Sequence, residues 1–328
     1  MKQYVEAVKL NDLFTSRNDS DDKRIGDIII PLTDFQEELS GAIVLVGVPQ
    51  DEGVRRNGGR TGASKAPVAI RKTFYKLTPF YNTTNQRLSI ENLRIFDTGN
   101  IRTDGVELEE IHKRQREVVR KLLQLGALPI VIGGGHDIAY PDGAALGDGG
   151  QPLGILNFDA HTDVRPLIDG KYAHSGSGFR QLLEDDTLTI GRFCEFGIQS
   201  FAVSAKHIEY ITNLGKSIIF YDEIRETGNF EHSFLSSLNY CSNSGSNAVY
   251  VSFDIDAVTS AFAPGVSAPA GIGFTADELC KAAELAGKDS SVKIIDIAEV
   301  NPIFDIDGRT AKLAALAIAY FISGVAQR

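Results

Sequence analysis

Six side chains in three short segments have the types and spacing to hold metal ions. They are His136 in Gly133-Gly-Gly-His136-Asp137, then Asp159, His161 and Asp163 in Asp159-Ala-His161-Thr-Asp163, then Asp254 and Asp256 in Asp254-Ile-Asp256. Side chains alternate across an extended backbone, so every second residue faces the same way. Asp159, His161 and Asp163 can therefore share one side, as can Asp254 and Asp256. Carboxylates gathered without a cation would repel one another until some took up protons, and a pair of divalent ions removes that conflict. An oxygen-rich set with two imidazoles and no thiolate suits manganese best, with the metal's identity left open. Two such ions sharing a water lower its pKa and provide a hydroxide nucleophile at neutral pH, so the chemistry expected is hydrolysis.

Each of the three segments follows an apolar run, as the ends of parallel strands would, and ligands bind outside such ends in open sheets. Eight runs read as strands: Ala42–Val48, Leu93–Phe96, Leu128–Ile132, Leu153–Phe158, Phe193–Ile198, Lys216–Phe220, Ala248–Phe253 and Val292–Ile297. Several are almost unbroken Val/Ile/Leu, as expected of strands buried on both faces. Helices are expected at Ala66–Tyr75, Leu108–Leu125 with Gly126 as its stop, Thr275–Ala286 behind a Thr275/Glu278 capping box, and Lys312–Val325. This alternation predicts one parallel sheet covered by helices on both faces. Loops are expected at 15–27, 51–65, 142–152, 241–247 and 258–273. Nothing resembling a linker interrupts the chain, so residues 1–328 are read as a single domain, with 1–40 an extension packed on it.

Composition narrows the function. In 328 residues, 43% are hydrophobic and 23% charged, near the soluble globular average. The formal net charge of -10 disfavours a nucleic-acid partner. Cys194, Cys241 and Cys280 are widely spaced and fit neither a disulfide framework nor a zinc site. No run reaches the roughly 20 apolar residues of a membrane span, and the charged N-terminus lacks the core of a secretory signal, so a cytoplasmic protein is expected. His112, His207 and His232 read as packing or surface residues. The Gly133–Gly135 run lacks the spacing of a nucleotide-binding loop.

The ordered combination of Gly-Gly-Gly-His-Asp (133–137), Asn-Phe-Asp-Ala-His-Thr-Asp (157–163), Ser-Phe-Asp-Ile-Asp (252–256), Ala-Pro-Gly-Val-Ser-Ala-Pro (263–269) and Glu-Val-Asn-Pro (299–302) resembles the ureohydrolase (arginase and agmatinase) superfamily. Within it, the chain is most similar to the formimidoylglutamase branch. The resemblance implies a three-layer α/β/α sandwich with a mainly parallel eight-stranded sheet, two Mn²⁺ per subunit, and a homo-oligomer, trimer or hexamer. It assigns His136, Asp159, Asp163 and Asp254 to one ion and His161, Asp159, Asp254 and Asp256 to the other, with Asp159 and Asp254 bridging. It further implies that Glu299 pairs with the cationic nitrogens of an amidine or guanidine substrate, that Asp163 passes a proton to the departing amine, and that His174 relays protons.

The metal ligands alone do not choose among such substrates, so loops around the crevice must. Asp51-Glu-Gly-Val-Arg55-Arg56-Asn57-Gly-Gly-Arg60-Thr-Gly62 resembles the formimidoylglutamase version of its loop. N-formimidoyl-L-glutamate carries two carboxylates, which arginine forks match. Arg55, Arg56, Asn57, Arg60 and, further on, Arg180 are therefore the expected substrate contacts. Ser260, where the arginase loop has proline, and His-Ser-Gly-Ser (174–177), where arginase has His-Gly, both weaken an arginase reading. The expected reaction converts N-formimidoyl-L-glutamate and water to L-glutamate and formamide, as in histidine degradation. An agmatinase or other guanidino-acid hydrolase releasing urea is the alternative, and a silent relative that only binds or assembles is a third.

Overall fold

The computed structural model describes all residues except 36–37, 83–86 and 246–247. Eight strands form the body of one sheet: β1 (Ile43–Gly47), β2 (Ile95–Ile101), β3 (Leu128–Ile132), β4 (Leu153–Phe158), β5 (Ile190–Ile198), β6 (Ser217–Phe220), β7 (Val249–Asp254) and β8 (Val292–Ala298). They lie in the order β2-β1-β3-β8-β7-β4-β5-β6, each parallel to its neighbours. Two strands of two residues, Val5–Glu6 antiparallel and Ile30–Pro31 parallel, add to the β2 edge. Neither was expected, because two residues are too few to show any periodicity.

Successive residues of a strand enter different cores. Ile43 and Leu45 belong to one apolar cluster, Val44 and Val46 to the other. The first cluster is closed by helices α2 (Ala66–Phe74), α8 (Phe230–Ser242), α9 (Ala276–Lys288) and α10 (Arg309–Val325). The second is closed by α3 (Leu108–Gln124), α4 (Ala139–Gly147), α5 (Gly178–Glu184) and α6 (Ala205–Asn213). The result is a three-layer α/β/α sandwich. Two shorter helices, α1 (Glu52–Arg56) and α7 (Tyr221–Thr227), complete the set used below.

Local signals act where expected. Thr275 Oγ1 accepts the Glu278 amide at 3.2 Å and Glu278 returns the bond to the Thr275 amide at 2.8 Å. Gly126, at φ 77°, turns the chain out of α3. Strand β2 outruns its predicted apolar stretch because polar side chains continue it. Asp97 is buried there on the fork of Arg71 from α2, at 2.7 and 2.9 Å, and also accepts the Tyr75 hydroxyl. The predicted loop at 142–152 is corrected: α4 runs through Gly147, with Pro141 in its first turn, where a missing amide hydrogen costs nothing. The predicted loop at 51–65 contains α1. Of the predicted loop at 241–247, Cys241 and Ser242 end α8, and residues 246–247 lie outside the described residues.

Candidate metal centre and active-site cleft

The four adjacent strands β3, β8, β7 and β4 present their carboxyl ends side by side, and each delivers part of the site. His136 follows β3, Glu299 follows β8, Asp254 ends β7, and Asp159 follows β4. After β3 the chain passes so close to the β1 loop that a Cβ on Gly134 would stand 1.5 Å from the Gln50 carbonyl oxygen. Only glycine fits there. Asp159 Oδ1 accepts the His161 amide at 2.7 Å, and Asp254 Oδ1 accepts the Asp256 amide at 2.8 Å. Both turns use an aspartate to bond the backbone two residues on, which brings the next ligand back to the same rim.

Two groups of donor atoms result, one of His136, Asp159, Asp163 and Asp254, the other of Asp159, His161 and Asp256. His136 Nδ1 lies 3.1 Å from Asp159 Oδ2 and 3.0 Å from both Asp163 Oδ2 and Asp254 Oδ2. His161 Nδ1 lies 3.5 Å from Asp159 Oδ1 and 3.3 Å from Asp256 Oδ1. Asp159 thus turns one oxygen to each group. Asp254 turns Oδ2 to the first group, while its Oδ1 accepts the Asp256 amide just as Asp159 Oδ1 accepts that of His161.

The residues fit a divalent pair. His136 Nδ1 and Asp256 Oδ1 are buried yet have no hydrogen bond of acceptable geometry. Adjacent ligands of an octahedral ion with bonds of about 2.1 Å lie about 3 Å apart, as the His136 group does. The ring's tautomer also fits. Ser252 Oγ donates to Asp296 Oδ1 at 2.6 Å, so it accepts from His136 Nε2–H at 2.8 Å, leaving Nδ1 as the ligating nitrogen.

Electrostatics tells the same story. Burial pushes the Asp254 carboxyl well above its ordinary range, and the charges of Asp256 and Asp159 push it further. Burial lifts Asp256 to about 6 despite His161. Burial works against charge on Asp159 as well, but His136 and His161 outweigh it and hold that carboxyl low. Asp256 raises His161; burial opposes charge on His136, yet the carboxylates of Asp159, Asp163 and Asp254 raise it.

A cleft of about 360 Å³ opens onto this rim, lined by His161, Asp163, Asp254, Asp256 and Glu299 and by Asn57, Arg60, Arg165, Ser175 and His207 among others. It is at the small end of the roughly 300–1,000 Å³ usual for ligand sites, a size for a small metabolite. Glu299 has φ 63°, a conformation that a glutamate adopts only under constraint. Its Oε1 accepts the His136 amide at 3.0 Å and its Oε2 is buried without a partner. Burial, and then Asp254, hold its carboxyl well above the usual range.

The predicted substrate arginines separate. Asn57 and Arg60 line the cleft, but the Arg60 fork is taken up by the Ser267 and Val266 carbonyls at 3.0 and 2.5 Å and lies on the Phe304 ring. Arg55 does not line it and is clamped to Glu52 at 2.6 Å. Arg56 is tied to Glu109 at 2.6 Å, Glu52 at 3.0 Å and the Ala173 carbonyl at 3.1 Å. Arg180 binds Glu184 at 2.6 Å and lies over Tyr210. His174 is buried and lines an adjoining pocket with Asn57, Arg165 and His207, Nε2 donating to the Pro166 carbonyl at 3.0 Å and Nδ1 accepting the Gly176 amide at 3.2 Å. Arg165 was missed, and His207, expected to be a packing or surface residue, lines the cleft. The signal for Arg165 was present, since positions 159, 161, 163 and 165 continue one alternation; His207 carries no such mark. His112 is a packing residue, buried against Asp137 at 2.6 Å.

Residues 41–323 match the arginase family model. Formimidoylglutamase of Clostridium tetani is 33% identical over 312 residues, covering 90% of this chain and 86% of that protein. Among solved structures, formiminoglutamase of Trypanosoma cruzi with Mn²⁺ is similar at TM-score 0.81 and 32% identity, covering 98% of this chain and 100% of that one. Formimidoylglutamase of Bacillus subtilis is similar at TM-score 0.86 and 25% identity, covering 95% and 94%.

Proposed function

The chain belongs to the arginase family, and we infer that it is a dinuclear manganese hydrolase converting N-formimidoyl-L-glutamate and water to L-glutamate and formamide. The observation that carries this reading is the pair of donor groups joined through Asp159, with the named relatives supporting the substrate. We assign His136, Asp159, Asp163 and Asp254 to one ion, and His161, Asp159 and Asp256 to the other. When bound, the ions would lower the pKa of a water so that hydroxide is available at neutral pH, and would draw electron density from the amidine.

The protein's own groups do the rest. Glu299 lines the cleft and its Oε2 has no partner, so it can accept an N–H of the amidinium and orient its carbon. Such a preset acceptor stabilises charge where it develops, without reorganisation during the reaction. Asp163 lines the cleft with its side chain 14% exposed, so its carboxylate can take the proton released on attack and return it to the glutamate nitrogen as the C–N bond breaks. The formimidoyl carbon leaves as formamide.

No helix among the described residues is long and apolar enough to cross a membrane. Cys194, Cys241 and Cys280 are all buried and free, which supports a cytoplasmic setting. We also infer a homo-oligomer, a trimer or hexamer, on the strength of the family alone. A panel of N-formimidoyl-L-glutamate, arginine and agmatine, assayed with Mn²⁺-loaded protein, tests the function: formamide and glutamate are expected from the first, whereas urea from either of the others without formamide overturns it.

A further inference from the structure

The cleft lining carries groups of opposite charge: the carboxylates of Asp163, Asp254, Asp256 and Glu299, and the cations Arg60 and Arg165, with His207 among them. With the Arg60 fork occupied by two carbonyls and a ring face, Arg165 is the cation left to act. Its only side-chain hydrogen bond among the described residues is Nη1 to Asn57 Oδ1 at 3.3 Å, and no carboxylate pairs with it. Arg55, Arg56 and Arg180, all outside the cleft lining, each hold an acid. An exposed arginine at a cleft wall with most of its donors free is suited to a bidentate carboxylate.

Its mounting is specific. The Arg165 amide donates to the Gly176 carbonyl at 2.8 Å, and the Arg165 Cδ runs so close to Gly176 that a Cβ there would meet it at 3.0 Å. Asn57 Nδ2 bonds Ser175 Oγ at 3.1 Å, so the asparagine that receives Arg165 is fixed by the same turn. His174 ties both flanks together, Nε2 to the carbonyl of Pro166 just after Arg165, and Nδ1 to the amide of Gly176 beneath it. These bonds occupy both ring nitrogens with backbone partners.

We propose that Arg165 is the receptor for a carboxylate of the substrate, and that His174 is a positioning residue which braces it through Pro166 and Gly176. The proposal rests on the reading of the chain as a hydrolase of an acidic amidine, and it deepens that reading by placing the selectivity in one side chain. Agmatine, with a cationic end and no carboxylate, is repelled at this position.

The test compares Mn²⁺-loaded wild type with Arg165→Gln, Arg165→Lys, His174→Ala and Arg55→Gln, using N-formimidoyl-L-glutamate and its two mono-amides. Arg165→Gln is expected to raise KM for the dicarboxylate about 10- to 100-fold, with a much smaller fall in kcat, and to abolish the preference over one of the amides. Arg165→Lys should recover part of the loss and Arg55→Gln should change nothing. His174→Ala should raise KM, leave the pH profile of kcat in place, and add little to Arg165→Gln in the double variant. A His174 variant that instead erases one limb of that profile overturns the brace. Calorimetric titration with L-glutamate reads the same contact without turnover. If wild type forms no formamide but binds glutamate more tightly than Arg165→Gln, the function falls and the carboxylate site stands. If Arg165→Gln keeps KM and glutamate affinity within twofold of wild type, the carboxylate site falls and the function stands.

Discussion

Asp254→Asn should separate stability from metal binding, in opposite directions. In protein stripped of metal, the Asp254 carboxyl is buried beside Asp256 and Asp159, and its pKa is pushed well above the ordinary range. A raised folded-state value means that the unfolded chain releases the proton first as pH climbs. The folded state is therefore penalised above the unfolded pKa near 4, by about 1.4 kcal/mol for each unit of difference. Asparagine removes that penalty, so the variant should melt at a higher temperature than wild type at pH 8 in chelator. Mn²⁺ reverses the ranking. A ligand at 100 times its Kd stabilises the folded state by about 2.7 kcal/mol. With an unfolding entropy of about 2.1 cal/mol/K per residue, a chain of this length gains roughly 4 °C for each ion so bound. Wild type should show up to twice that, and Asp254→Asn much less, because the first donor group has lost a charged oxygen. Differential scanning calorimetry with and without Mn²⁺ reads both effects. A wild-type melting point indifferent to Mn²⁺, or an Asp254→Asn protein that melts lower than wild type in chelator, would refute the reasoning that these carboxylates await cations.

Three other substitutions probe the surroundings. Ser252→Ala removes the acceptor that fixes the His136 tautomer, so Mn²⁺ affinity by titration calorimetry should fall about 10- to 100-fold, and an unchanged Kd would dismiss the relay. Gly134→Ala places a methyl 1.5 Å from the Gln50 carbonyl oxygen; the loop must move, and weakened Mn²⁺ binding with nearly unchanged far-ultraviolet circular dichroism is expected, so intact binding would contradict the close approach. Arg71→Met strands the buried Asp97 without its cation, and denaturant unfolding should report a loss of about 3–5 kcal/mol; a loss below about 1 kcal/mol would show that the pair contributes little.

The metal centre was legible because ligand-type residues stand directly after apolar strands; what aligns Asp159, His161 and Asp163 is a turn rather than strand alternation, with Asp159 Oδ1 accepting the His161 amide and Asp163 at φ 45°. Which Asp254 oxygen caps the Asp256 amide was not legible, since it depends on side-chain rotation. The arginine-rich segment misled because arginine type was weighed and its neighbours were not. Glu52 stands three and four residues before Arg55 and Arg56, the spacing of ion pairs on a helix, and the pairs form. The helix at Ala139–Gly147 was hidden by small residues and glycines that carry little periodic signal, yet it packs against α3 and α5 through those small residues, with Gly143 against Leu182. The role of His174 could not be read from its type, because a histidine in a loop looks the same whether its nitrogens face solvent, substrate or carbonyls.

Because the last strand of the chain, β8, inserts between β3 and β7, the centre of the sheet stays open while most of the protein is being made. A nascent chain can close β1, β2 and β3 on one side and β4 to β7 on the other, but no strand pairing joins the halves until β8 is made. Completion of the site is thereby tied to the last strand: Asp159, His161, Asp163, Asp254 and Asp256 come from the β4–β7 half and His136 from the other, while Glu299 follows β8 itself, so a fragment cut before β8 is expected to lose activity outright rather than in proportion to its missing length.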